Sequence, residues 1–136
     1  VTTPSANGLH LIADIVATCG LDDVTWIEAT LREAAAAARV TVIDVQLHHF
    51  GGHNGVTGVA LLAESHISIH TWPERGLAAI DVFVCGANAD AHAALAVIEA
   101  RLCGTARFVS VIPRLGARDS VTSSSQSIPS NEETDL

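Results

Sequence analysis

The sequence predicts an α+β fold, a two-layer sandwich with two helices on one face of an antiparallel or mixed sheet. Two segments carry helical periodicity, and apolar or alternating segments rich in β-branched residues lie before, between and after them. The expected order is β-α-β-β-β-α-β. The first strand is Gly8 to Ala17, where His10, Ile12 and Asp14 are offset from Leu9, Leu11 and Ala13. Cys19 to Asp23 is turn chemistry, and Asp22 or Asp23 is placed to cap a helix. That helix runs from Val24 to Arg39, with Val24, Ile27, Leu31, Ala34, Ala35 and Ala38 on one face.

Val40 to Phe50 reads as a strand and Gly51 to Gly55 as a loop. Val56 to Ala63 is again strand-like, Glu64-Ser65 interrupts, and His66 to Trp72 resumes the alternation. Pro73 to Gly76 is a turn, and Leu77 to Val84 a strand ending at Cys85-Gly86. Asn88 or Asp90 caps a second helix through Leu102, burying Leu95, Ile98 and Leu102, and Gly104 ends it. Ala106 to Ile112 is the last strand. Residues 1–116 of the 136 form one domain, and 117–136, dominated by Ser, Thr, Gln and Asn, read as a disordered tail. The uncovered sheet face would be protected by a second copy.

The formal charge of −8 argues against nucleic acid, which demands clustered Lys and Arg, and suits a small cationic substrate. Part of that charge lies in the tail, at Asp119, Glu132, Glu133 and Asp135. No apolar stretch is long enough to span a bilayer, and nothing resembles a signal peptide. The three cysteines, Cys19, Cys85 and Cys103, include no CxxC pair. A disulfide framework is not expected, and a reduced cytoplasmic setting is.

The chemistry concentrates in Glu64 to Glu74 (ESHISIHTWPE) and Asp81 to Gly86 (DVFVCG). Three readings of these residues stand on chemistry alone. His66 and His70 invite a metal site, but strand residues four apart are roughly 13 Å distant, so ligands would have to come from different strands. Ser65 or Ser68 with His70, or Cys85 with a histidine, would make a nucleophile pair, although no GxSxG elbow is present. Otherwise the serines and histidines are half-buried polar residues satisfied by neighbours.

The run AESHISIHTWPE (Ala63 to Glu74) resembles the signature of the small prokaryotic S-adenosylmethionine decarboxylases. The similarity extends to LHLIADI (9–15), HHF (48–50), GVTGVALL (55–62) and AAIDVFVCG (78–86). It implies self-cleavage between Glu64 and Ser65, in which Ser65 becomes a pyruvoyl group that forms a Schiff base with the substrate amine. His70 matches the processing base and Cys85 the proton donor. Phe50, Thr57, Trp72 and Glu74 match substrate-binding positions, Glu74 for ribose hydroxyls. No metal is implied. Because Ser65 and His70 are five apart, a turn or bulge at Glu64–Ser65 must break strand parity.

The resemblance also implies a homodimer with active sites at the subunit boundary and a role in spermidine synthesis. After the WPE the family commonly has aromatic residues (EYGYAA), where this chain has Glu74-Arg75-Gly76-Leu77-Ala78-Ala79. The loop 51–55 is one residue longer than usual and carries His53. Arginine or ornithine therefore stand as alternative substrates, and an uncleaved regulatory homologue is the alternative outside enzymes.

Overall fold

The computed structural model describes residues 7–116. The tail expected from 117 onward lies outside them. The strands are β1 (Gly8–Val16), β2 (Val42–His49), β3 (Val56–Leu62), β4 (Ser65–Trp72), β5 (Leu77–Cys85) and β6 (Thr105–Arg114). The helices are α1 (Val24–Ala37) and α2 (Ala91–Arg101). Four strands therefore stand between the helices, one more than the expected order has. The reason is local: Ala63 and Glu64 form a two-residue turn, and Leu62 pairs with Ser65 across it. All pairings are antiparallel, in the order β2-β3-β4-β5-β1-β6.

Asp23 caps α1, its carboxylate accepting from Trp26 N at 3.0 Å. Asp90 rather than Asn88 caps α2, accepting from Ala93 N at 3.0 Å. The predicted face of α1 is buried except for Val24, which is partly so, and there is one addition: Thr30 sits inside because its hydroxyl donates to Trp26 O (2.8 Å) and accepts from Arg101 Nε (2.8 Å). At the end of α2 the left-handed residue is Cys103 (φ 53°), and Gly104 N donates to Glu99 O at 2.9 Å.

Period-two alternation splits the sheet into two unlike faces. Leu11, Ala13, Ile15, Ala60, Leu62, Ile67, Ile69, Ile80, Val82 and Val84 point toward the helices and are buried with Ile27, Leu31 and Ile98. Both helices lie on this face, α1 over β2 and β3, and α2 over β1 and β5. The opposite face has no covering layer among the described residues. It carries His10, His66, Ser68, His70, Asp81 and Phe83 alongside Ile12, Leu61 and Trp72. No helix among the described residues is long and apolar enough to cross a membrane.

One polar side chain, Thr71, enters the core face of β4. Its hydroxyl donates to Leu21 O (2.6 Å) and accepts from Val56 N (2.8 Å), tying the β1–α1 connection to the start of β3. Gly55 is required beside it, since a Cβ there would lie 1.9 Å from Thr71 O. Thr71→Val leaves buried backbone groups unpaired and should cost about 1–3 kcal/mol. A lowered urea midpoint with unchanged m-value is the expected result; an unchanged midpoint would remove this bridge from the account of stability.

Candidate active site

The turn between β3 and β4 places Glu64 at φ 68°. The second position of a two-residue turn with positive φ normally takes Gly or Asn, and a glutamate there stores roughly 1–2 kcal/mol. The turn lies before Ser65, and the β3–β4 register runs unbroken from Ser65 to His70, so the parity break expected at Glu64–Ser65 does not separate those two residues. Ser65 Oγ donates to Ala63 O at 3.3 Å. The β4–β5 register sets His66 opposite Phe83, so Cys85 arrives beside the turn. Its thiol donates to Glu64 O at 3.5 Å, a contact between residues 21 apart in sequence. Cys85 is thus held against the carbonyl of the Glu64–Ser65 peptide bond.

His70 lies at the other end of β4. Five residues of extended strand separate it from Ser65, roughly 16 Å, and the turn lies beyond Ser65, where it does not shorten that path. A single chain therefore does not bring the expected base to the expected serine. His70 instead joins the expected substrate-binding residues. Phe50, Thr57, Trp72 and Glu74 line, with it, a cavity of about 380 Å³. Thr57 Oγ1 and His70 Nδ1 share a hydrogen bond of 3.1 Å across the β3–β4 register. Arg75 lines a different cavity, of about 220 Å³, with Asp14, Trp72 and Leu77. His53 turns away as well, with Nδ1 3.2 Å from Asp22 Oδ2.

Between these two ends the sequence reading missed a polar hub. Asp81 Oδ2 accepts from His10 Nε2 and from His66 Nε2, each at 2.7 Å, and Ser68 Oγ donates to Oδ1. Three strands, β1, β4 and β5, are thereby tied through one carboxylate. Arg114 Nη1 donates to His10 Nδ1 at 3.0 Å, which puts the His10 ring proton on Nε2, facing Asp81. The atoms of His10, His66 and Asp81 lie close enough to ligate one ion. In that tautomer, however, His10 Nε2 has no lone pair to give, so the arrangement holds protons. The available signal was parity: His66 and Ser68 share a strand face, and Asp81 and Phe83 share the next.

The family model described as S-adenosylmethionine decarboxylase matches residues 9–115. The chain belongs to that family. A relative from Thermomicrobium roseum named S-adenosylmethionine decarboxylase proenzyme is 43% identical over 94 residues, covering 69% of this chain and 81% of that one. A relative of the same name from Methanococcus maripaludis is 47% identical over 94 residues, 68% of this chain and 76% of that one. One from Pseudomonas aeruginosa is 44% identical over 93 residues, but the match spans only 58% of its length. The crystal structure of the adenosylmethionine decarboxylase from Aquifex aeolicus superposes with a TM-score of 0.69 at 33% identity, over 97% of this chain and 100% of that one. The family's fold is therefore the observed α+β sandwich.

Burial pushes the Asp81 carboxyl up, but the hydrogen bonds from Ser68, His10 and His66, with the positive charge of His66, outweigh it and hold the group below its ordinary value. A carboxyl depressed in the folded state stabilises above its unfolded value of about 3.9 and loses that contribution as pH falls through the folded value. Asp81→Asn should therefore destabilise the protein at neutral pH by about 1–3 kcal/mol and by less at an acidic pH below the unfolded carboxyl value. Thermal melts of both proteins at the two pH values check this; an equal deficit at both would show that the ionised carboxylate is not what stabilises.

Proposed function

We propose that the chain is a self-processing S-adenosylmethionine decarboxylase that cleaves itself between Glu64 and Ser65 and works as a homodimer. The observation that carries this reading is the Cys85 thiol on the carbonyl of a strained Glu64, directly before Ser65. Ser65 Oγ attacks the Glu64 carbonyl carbon, converting amide to ester. The left-handed backbone at Glu64 is relieved by that shift, and the Cys85 S–H stabilises charge growing on the carbonyl oxygen. Removal of the Ser65 α-proton then expels the Glu64 carboxylate, and hydrolysis of the resulting dehydroalanine releases ammonia and leaves a pyruvoyl group at residue 65. The name proenzyme carried by the relatives supports the cleavage.

The pyruvoyl group supplies an electron sink for decarboxylation, as pyridoxal phosphate does in other enzymes. The residues around position 65 fit such a group: a thiol lies against it, and His66, the next residue, is anchored on Asp81. The Cys85 thiol returns a proton to the substrate carbon after carbon dioxide departs. Phe50 and Trp72 offer aromatic faces to adenine and the sulfonium, and Glu74 accepts from ribose hydroxyls. With Arg75 on a different cavity, no cation of the Pro73–Gly76 turn lines this one.

The roughly 16 Å between Ser65 and His70 supports a site made by two copies. The open face exposes Ile12 (41%), Leu61 (43%), Trp72 (39%) and Ile112 (43%), an apolar surface suited to burial. A two-fold axis lying between two such faces, across the strands, sets the Ser65–Cys85 end of one copy over the Phe50–His70–Glu74 end of the other. His70, oriented by Thr57, is then the base for the α-proton of the second copy's Ser65.

Carbon dioxide release should be seen with S-adenosylmethionine and be at least about tenfold weaker with arginine or ornithine, a difference near 1.4 kcal/mol in barrier. Preference for either amino acid would reassign the substrate while keeping the chemistry. Ser65→Ala should remain one unbroken 14.1 kDa chain, like the unprocessed wild type. A wild-type protein that never cleaves would instead support a regulatory homologue. Co-expressing Ser65→Ala with His70→Ala should restore cleavage of the His70→Ala chain. It should yield about a quarter of wild-type sites, because half of random pairs are mixed and each mixed pair has one complete site. No restoration would place the whole site within one chain.

A further inference from the structure

We propose that Cys19 and Cys103 form a covalent tether between the two fragments produced by self-cleavage, an inference that rests on the cleavage reading above. No disulfide was expected of the three cysteines, yet Cys19 and Cys103 form one with a Cα–Cα distance of 5.4 Å. Such a distance is in the range a disulfide needs. The expectation failed because 84 residues separate them and only the fold brings them together.

The backbone sets this pairing independently of the sulfurs. Thr18 N and Cys19 N both donate to Leu102 O at 3.0 Å, and Thr18 Oγ1 donates to Cys103 O at 3.3 Å. Trp26 Nε1 donates to Arg101 O at 2.9 Å, and the Arg101 guanidinium lies 3.9 Å over the Trp26 ring. The connection after β1 and the end of α2 are therefore already docked, and Cys103 is exposed there to a soluble oxidant.

Position in the chain gives the pair its meaning. Cys19 is the only cysteine of 1–64, whereas Cys85 and Cys103 both lie in 65–136. Any disulfide that Cys19 makes within its own chain thus joins the two fragments. Cys85 is no competitor. It pairs in register with Gly8, at the far end of β1 from Cys19, roughly 26 Å along the strand from Val16. Oxidation of the surface pair leaves the proposed catalytic thiol free, and Cys85 is the free cysteine of the structure.

The chemistry is thiol–disulfide exchange with a small-molecule disulfide such as oxidised glutathione. One protein thiolate attacks the reagent and expels one thiol; the second protein thiolate attacks the mixed disulfide and expels the other. Two protein thiols are oxidised to one disulfide, and one reagent disulfide is reduced to two thiols.

The test uses the matured full-length protein, equilibrated with oxidised glutathione, alkylated, denatured and run with and without reductant. With reductant, two fragments are expected. Without it, one species near the mass of the whole chain, 14.1 kDa, is expected. Cys19→Ser and Cys103→Ser should each give two fragments in both lanes, with decarboxylation within about twofold of wild type, since neither residue lines the Phe50–His70–Glu74 cavity or contacts Ser65 or Cys85. Two fragments in both lanes for the wild type would overturn the tether while leaving the cleavage intact. A single uncleaved band under reduction would overturn the cleavage and the tether with it. A Cys103→Ser protein that stays bridged would overturn the assignment of the partner.

Discussion

The antiparallel pairing of β4 with β5 is the constraint on which the rest depends. Its register sets Ser68 against Asp81 and His66 against Phe83 and carries Cys85 up to the Glu64 carbonyl. A slip of one residue would exchange the two faces of β4. Ile67 and Ile69 would then leave the core, and His66, Ser68 and His70 would enter it without partners. Fold and chemistry are thus specified by the same alternation. The helices on the other face enforce it, because they bury the apolar residues of both strands.

The site is stabilised unevenly along β4. At its centre, Asp81 of β5 gathers donors from β1 and β4 and secures the polar face there. At one end, the strained Glu64 turn meets a single thiol contact. At the other, His70 and Trp72 are exposed beside an open cavity. Rigid support in the middle with strain and exposure at both ends is the distribution expected when reacting groups are positioned by neighbours that do not themselves react.

Much of this was legible in the sequence, for physical reasons that differ by residue. The strands and helices follow from periodicity and from caps such as Asp23 and Asp90, which act within a few residues. Phe50, Thr57, Trp72 and Glu74, which the resemblance grouped as substrate-binding positions, line one cavity, and His70, expected beside Ser65, joins them there. Both strand segments flanking Glu64-Ser65 were read, but the left-handed turn position carries a glutamate rather than a glycine, and the expected order was one strand short. Asp81 was missed because its partners, His10 and His66, lie 71 and 15 residues away. Cys19 and Cys103 were missed for the same reason. The gap between Ser65 and His70 follows from strand rise alone, once β4 is known to run straight from 65 to 72.

The topology also explains how the fold tolerates the proposed cut. The bond lies at a two-residue turn on the edge of the layer, so breaking it removes no strand pairing. The pieces it creates are interleaved: β1, β2 and β3 come from one, β4, β5 and β6 from the other. In the order β2-β3-β4-β5-β1-β6, three of the five seams join different pieces, and β1 is held between β5 and β6. Separating the fragments would require stripping a central strand from both neighbours and opening the core beneath it. The noncovalent fold therefore keeps the native pieces together, and the Cys19–Cys103 bond matters when that fold opens. It acts at the end of β1 opposite the Glu64–Ser65 turn and Cys85, so the chain gains a covalent link without constraining the turn where strain is needed.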